Sequence, residues 1–193
     1  MDPFSDILQL LSARSYTTTG QQAGPAWAMH YPGFDGMKFI FMRKGILWFR
    51  LETETFWHRL EAGDGVIITR HASFFMATSP DIKPVPLNDV PYVRVNGLAD
   101  YGGDDSIIQS GKMEVDQVSA DLLFGMLPVV IPVKTGTGTS DILNWLMTQL
   151  HNEHLSERPG SSVASNHLMH LVIIEGLRGW PISAQDRKSV GEG

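Results

Sequence analysis

Seven histidines and no cysteine bound the chemistry open to this chain. His151, His154, His167 and His170 form two pairs at i, i+3, with Glu153 beside the first. On two antiparallel helices such pairs bring His151 toward His167, an arrangement able to bind zinc. The order His-Glu-x-x-His is missing, and polar helix faces collect histidines routinely, so no metal is assigned to them. Thr135-Gly136-Thr137-Gly138-Thr139-Ser140 follows an apolar strand and opens a helix, the setting in which backbone amides bind phosphate. Neither nucleotide-binding glycine pattern is present, and the segment reads as a flexible linker with a helix cap. No Ser stands in a Gly-x-Ser-x-Gly elbow, and the lack of Cys removes thiolate nucleophiles, disulfides and zinc-thiolate sites together. No catalytic residue and no cofactor are assigned.

What remains is a lysine among apolar residues. In Lys38-Phe39-Ile40-Phe41-Met42-Arg43, strand alternation puts Lys38, Ile40 and Met42 on one face and Phe39, Phe41 and Arg43 on the other. An apolar pocket with one buried Lys pairs well with a carboxylate or other polar handle on a small ligand. The alternative is a Lys38 that snorkels to the rim while Ile40, Met42, Trp48 and Phe74 fill the core.

These residues sit in a run of short strands. Segments 27–31, 38–43, 46–51, 56–60, 66–69, 74–77 and 92–95 are rich in aromatic or β-branched residues, with Gly, Pro, Asp or Asn between most of them. That spacing, with turns at Lys44-Gly45 and Gly63-Asp64, predicts a sandwich or small barrel enclosing a ligand. Pro80, Pro84, Pro86 and Pro91 make Ser79–Pro91 a loop or edge crossing placed to cover a barrel mouth. A further strand or pair spans Ser106–Val115, and Val129–Val133 is apolar. Helices are predicted over Pro3–Leu11, from Thr139 or Ser140 to Glu157, and from Ser162 to Trp180, the last two joined at Pro159-Gly160 as an antiparallel hairpin.

The chain has 193 residues, enough for one domain or a domain with an appended helical piece. A net charge of −6 and no long basic run leave out the electrostatic attraction that draws proteins onto phosphate backbones. The N-terminus lacks the positive charge of a secretory signal, and charged residues interrupt every window approaching the roughly 20 apolar residues of a membrane span. A soluble, cytoplasmic protein is expected.

The Arg43-Lys44-Gly45 turn, the Glu61-Ala62-Gly63-Asp64 turn and the C-terminal hairpin together resemble the cupin sensor domain of AraC-type bacterial transcription regulators. Asp2-Pro3-Phe4-Ser5-Asp6-Ile7-Leu8, Lys38-Phe39, Trp48, Gly111-Lys112-Met113, Leu127-Pro128 and Arg158-Pro159-Gly160-Ser161 are similar to that group as well. The likeness covers roughly residues 1 to 180. It implies a mainly β fold with α: a cupin-like jelly-roll barrel with a short N-terminal helix over 1–134, a helical hairpin over 135–180, and a tail over 181–193 expected to be disordered.

In that family the barrel senses a small molecule, the helices contribute to dimerisation, and a separate domain with two helix-turn-helix motifs reads DNA. The chain stops before such a domain begins. The resemblance therefore implies a regulator fragment or truncated product that binds a small-molecule effector, pairs as a homodimer, and reaches DNA only through a missing C-terminal domain. Metal-holding cupins carry His-x-His, Glu and a further His; those positions fall near Tyr31 and Gly33, on Lys38, and on Phe74. None is a metal ligand. A free-standing metal-dependent cupin oxygenase or isomerase is the rival reading.

The expected ligand-binding set is Lys38, Ile40, Met42, Trp48 and Phe74, with His30 near the pocket mouth. The expected dimerisation set is Leu143, Leu146, Met147 and Leu150 on the first helix of the hairpin, whose alternative is to pack only on the second helix and the barrel.

Overall fold

The computed structural model describes residues 16–114, 125 and 127–180. The helix predicted over Pro3–Leu11 and the tail from residue 181 lie outside the described residues. Among the described residues twelve strands follow one another: β1 (Tyr16–Ala23), β2 (Ala28–Tyr31), β3 (Met37–Lys44), β4 (Ile46–Leu51), β5 (His58–Glu61), β6 (Gly65–Ile68), β7 (Phe74–Ala77), β8 (Val85–Pro86), β9 (Val93–Val95), β10 (Leu98–Asp100), β11 (Ser106–Met113) and β12 (Val130–Val133). Helices α1 (Gly138–Ser156) and α2 (Ser161–Arg178) close the described chain. One sheet has seven strands in the order β12-β6-β3-β11-β1-β10-β9, and the other has five, in the order β5-β4-β7-β2-β8. The result is the expected jelly-roll with a helical hairpin. Among the described residues no helix is long and apolar enough to cross a membrane.

β3 explains how the layers stack. Ile40 and Met42 point between the two sheets, where they join Tyr31, Leu47, Phe49, Phe74 and Met76 in one apolar cluster. The alternate residues Met37, Phe39 and Phe41 point the other way, into a second cluster with Leu143, Leu146, Met147, Leu150, Met169 and Ile173 of the two helices. A strand buried on both faces needs an almost continuous apolar run, which Met37-Lys38-Phe39-Ile40-Phe41-Met42 supplies with Lys38 as the exception.

That second cluster takes in the whole of the expected dimerisation set. Leu143, Leu146, Met147 and Leu150 are 1%, 2%, 0% and 0% exposed. They are used up in covering the outer face of the seven-stranded sheet, a demand that a sequence without strand pairings does not display. The fit is close: a methyl group on Gly176 of α2 would lie 2.1 Å from Ile67 Cδ1.

The helix start also differs from expectation. Thr137 is the N-cap, and its Oγ1 accepts from Ser140 N at 3.1 Å, so Thr139 and Ser140 already lie inside α1. The Gly/Thr stretch before it is fastened to the barrel by Asp64. That carboxylate accepts from Glu61 N (3.0 Å) and Lys134 Nζ (3.1 Å) on one oxygen, and from Thr135 N (2.7 Å) and Thr135 Oγ1 (2.8 Å) on the other. Burial alone would raise the Asp64 pKa; the hydrogen bonds from Glu61, Thr135 and Lys134 outweigh it and hold the carboxyl below its ordinary value. Gly63 makes the turn possible, since its φ of +93° belongs to the left-handed region.

Candidate functional site

A cavity of about 350 Å³ opens between the sheets at the end of β3 that carries Lys38. Its polar lining includes Gln21 of β1, Tyr31 of β2, Arg94 of β9, Tyr101 of β10 and Lys112 of β11, while Met76, Leu87 and Val90 supply apolar wall. Leu87 and Val90 come from the proline-rich crossing, which here forms β8, parallel to β2, and a 3-10 turn over Leu87–Asp89.

Register accounts for the placement. β3 and β11 are antiparallel with Lys38 directly opposite Lys112 and Ile40 opposite Ser110. Directly opposed residues share a face, so both ammonium groups and the Ser110 hydroxyl point toward the space between the sheets. β1 continues the row, with Thr19 opposite Ser110 and Gln21 opposite Ile108.

Around Lys38 the surroundings are aromatic. Its Nζ lies 5.5 Å from the Tyr31 ring centroid and 5.1 Å from that of Phe74, two rings stacked at 4.9 Å. Burial, and then the Lys112 charge, push the Lys38 pKa down to about 8. Lys112 Nζ stands 5.0 Å from the Phe34 ring centroid. Tyr31 is held protonated by burial, against the opposing pull of its hydrogen bond to Gln21, whose Oε1 accepts from the phenol at 2.7 Å. Gln21 is 7% exposed, and its Nε2 has no acceptor. Three cations line the cavity, Lys38, Arg94 and Lys112, and among the described residues no carboxylate does.

The expected ligand set is divided by this geometry. Lys38 lines the cavity, and Phe74 stands against it through its ring. Ile40, Met42 and Phe74, at 1%, 0% and 1% exposure, fill the core between the sheets instead of facing open space. Trp48 is set apart: in β4 it is Leu47, Phe49 and Leu51 that are buried between the sheets, leaving Trp48 on the outer face. His30 is likewise on the outer face of the five-stranded sheet, its ring 4.8 Å from Phe75 and its Nε2 3.6 Å from Glu52 Oε2. Its neighbour Tyr31 is the one that turns inward. Gln21 and Lys112 were missed by sequence reasoning. Lys112 would have emerged from pairing 106–115 against 38–43 in register; Gln21 sits in a polar strand with no apolar alternation to reveal it.

The positions where metal-holding cupins carry ligands do not fit a cation here. Lys38 brings a positive charge, Phe74 a hydrocarbon ring, and Tyr31 a phenol already donating to Gln21. Among the described residues no group of three or more His, Cys, Asp or Glu converges as a metal site would, which covers His151, His154, His167 and His170. A second hollow, about 400 Å³, lies where Arg43 and Gln109 meet His151 of α1. Two of its polar groups are engaged with each other and with α1: Arg43 donates to Gln109 Oε1 (3.2 Å) and Thr148 Oγ1 (2.7 Å), and Gln109 Nε2 donates to Met147 O (2.6 Å).

Comparison with known proteins gives three findings. A protein-family model described as cupin matches residues 2–181. A protein of Streptomyces antibioticus named as an AraC-like transcription regulator is 28% identical over 179 residues, 92% of this chain and 59% of that protein. One of Streptomyces lividans with the same name is 29% identical over 181 residues, again 92% and 59%. The chain thus spans about three fifths of the length of these curated relatives. Among solved structures, ToxT of Vibrio cholerae aligns with a TM-score of 0.45 at 7% identity, covering 84% of this chain and 54% of that one.

Proposed function

Because the chain belongs to the cupin family, we propose that it is the small-molecule-sensing domain of an AraC-type transcription regulator, non-enzymatic and cytoplasmic. The observation that carries this reading is the cavity between the sheets, where Lys38 and Lys112 stand without an ion-pair partner and where, among the described residues, no metal-ligand set converges. The names of the Streptomyces relatives, similar over 92% of this chain, support it. DNA contact belongs, in this reading, to a helix-turn-helix domain outside these residues. Effector binding in the cavity acts on that domain.

Homodimerisation is part of the same reading, with its contact moved off the buried Leu143–Leu150 stripe. Ile142 and Trp145, 46% and 59% exposed on the outer face of α1, offer the apolar surface for it. Sedimentation of the chain and of Trp145→Glu tests this: a dimer lost in the variant supports the contact, and a monomeric wild type removes it. The sensing reading is tested by a thermal-shift screen of small organic molecules against the chain, with Lys38→Met as control. Stabilisation by a restricted chemical series, weakened in the variant, supports sensing. Turnover of any such compound on purified protein would overturn the non-enzymatic assignment.

A further inference from the structure

We propose that the effector is a small organic carboxylate, its anionic end seated between Lys38 and Lys112 and a second polar atom accepting from the amide of Gln21. This rests on the sensing reading above and names the chemistry of its site.

The lysine pair comes first. Lys38 and Lys112 stand directly opposite each other across an antiparallel ladder, an arrangement in which like charges destabilise the sheet. Neither ammonium has a hydrogen-bond or ion-pair partner among the described residues, and no carboxylate lines the cavity to neutralise them. Elsewhere the protein does pair its cations: Lys44 meets Asp104 at 2.9 Å, and Lys134 meets Asp64 at 3.1 Å. Two uncompensated ammonium groups facing one cavity call for an anion that arrives from outside.

Gln21 adds an independent observation. Its side chain is 7% exposed, lines the same cavity and is fixed at one end by the Tyr31 phenol, yet its Nε2 is left without an acceptor. A buried donor left unpaired is costly, and native proteins rarely leave one without a purpose. An oxygen on a bound molecule satisfies it.

The rest of the wall chooses among anions. Met76, Leu87 and Val90 are apolar, and Tyr92 and Tyr101 present rings 5.5 Å apart. A phosphate dianion, small and hydrophilic, would leave the apolar wall bare. A single carboxylate on a hydrocarbon or aromatic body matches both halves of the lining. The depressed Lys38 pKa agrees with an ammonium that lacks its counter-ion.

The test is binding of matched pairs by thermal shift and calorimetry at pH 7. Benzoate, phenylacetate, cinnamate and octanoate are each set against their own primary amides, with inorganic phosphate as a further arm. The expected result is stabilisation by one or more acids, with the matching amide weaker by about tenfold or more, as the loss of a charge-assisted contact dictates. Lys38→Met and, separately, Lys112→Gln should then lose the preference for acid over amide, and Gln21→Leu should weaken the acid without erasing that preference. Amides that bind as well as their acids would overturn the carboxylate assignment and leave the sensing reading standing. Stabilisation by phosphate alone would overturn it in favour of an oxyanion. A panel in which neither acids nor amides shift the melting temperature would count against the cavity as a sensing site, and the carboxylate with it.

Discussion

Asp64 is a buried charge and Lys38 a half-buried one in the same barrel, and their surroundings are opposites. Asp64 is enclosed by hydrogen bonds from Glu61, Lys134 and Thr135, every one of them from the chain itself. Lys38 faces two aromatic rings and another lysine. A charge whose partners are all internal belongs to the architecture: it ties the β5–β6 turn to the start of α1. One without partners is a cost the fold carries for something else. The two pKa shifts are both downward, but the one at Asp64 favours the charged form and the one at Lys38 the neutral form, which records that difference.

The largest effect is expected from a charge given neither partners nor a cavity. Leu146 is 2% exposed between α1 and the seven-stranded sheet, so Leu146→Glu should cost more than about 4 kcal/mol and unfold the chain. Loss of the β signal in circular dichroism checks this; a folded monomer would mean that the stripe is an interface after all. Next comes Asp64→Ala, which strands the donors of Thr135 and Lys134. A loss of about 3 kcal/mol in urea unfolding is expected, with Asn recovering part of it. Equal stability of variant and wild type would deny Asp64 its structural role.

Lys38→Met should go the other way. Removing an unpaired, half-buried charge while keeping its hydrocarbon volume is expected to leave stability unchanged or raise it by about 1 kcal/mol, with ligand binding weakened. A strongly destabilised variant would mean that Lys38 has the structural character of Asp64. pH separates the two charges further. Lys38 titrates near 8 in the fold against an ordinary 10.5, so between those values the unfolded chain holds the extra proton and stability rises with pH. The advantage of Lys38→Met over wild type should therefore shrink from pH 7 to pH 10. Lys112, Arg94, Tyr31, Tyr92 and Tyr101 face the same cavity in both proteins. Asp64 behaves conversely: its contribution is complete above its ordinary carboxyl pKa and is lost as pH falls through the lower folded value. The smallest effect is expected at Trp145, 59% exposed, where Trp145→Ser should change monomer stability by less than about 0.5 kcal/mol.

How far the sequence could be read depended on the kind of signal. Strands 46–51 and 74–77 were legible to the residue, because apolar alternation and turn residues mark both ends. β1 was not, since Thr17-Thr18-Thr19-Gly20-Gln21-Gln22 has no apolar side to detect; pairing with β11 makes it a strand. Lys38 was found because a lysine in an apolar run is conspicuous. Its companions were hidden by register, which lies in pairings between segments about 70 residues apart. Trp48 and His30 went wrong for a related reason: each has an inward neighbour, Phe49 or Tyr31, and composition alone does not say which of two adjacent residues turns in.

One consequence of β3 concerns mechanics. Lys38 and Phe39 are consecutive, about 3.8 Å apart along the backbone, yet one belongs to the cavity wall and the other to the bed on which the helical hairpin lies. No soft layer separates them, and a packed interior has little compressibility with which to absorb a shift. The strand is a single plank with a different load on each side. A tilt imposed on it from the cavity is handed directly to the helices above, without any hinge or relay between.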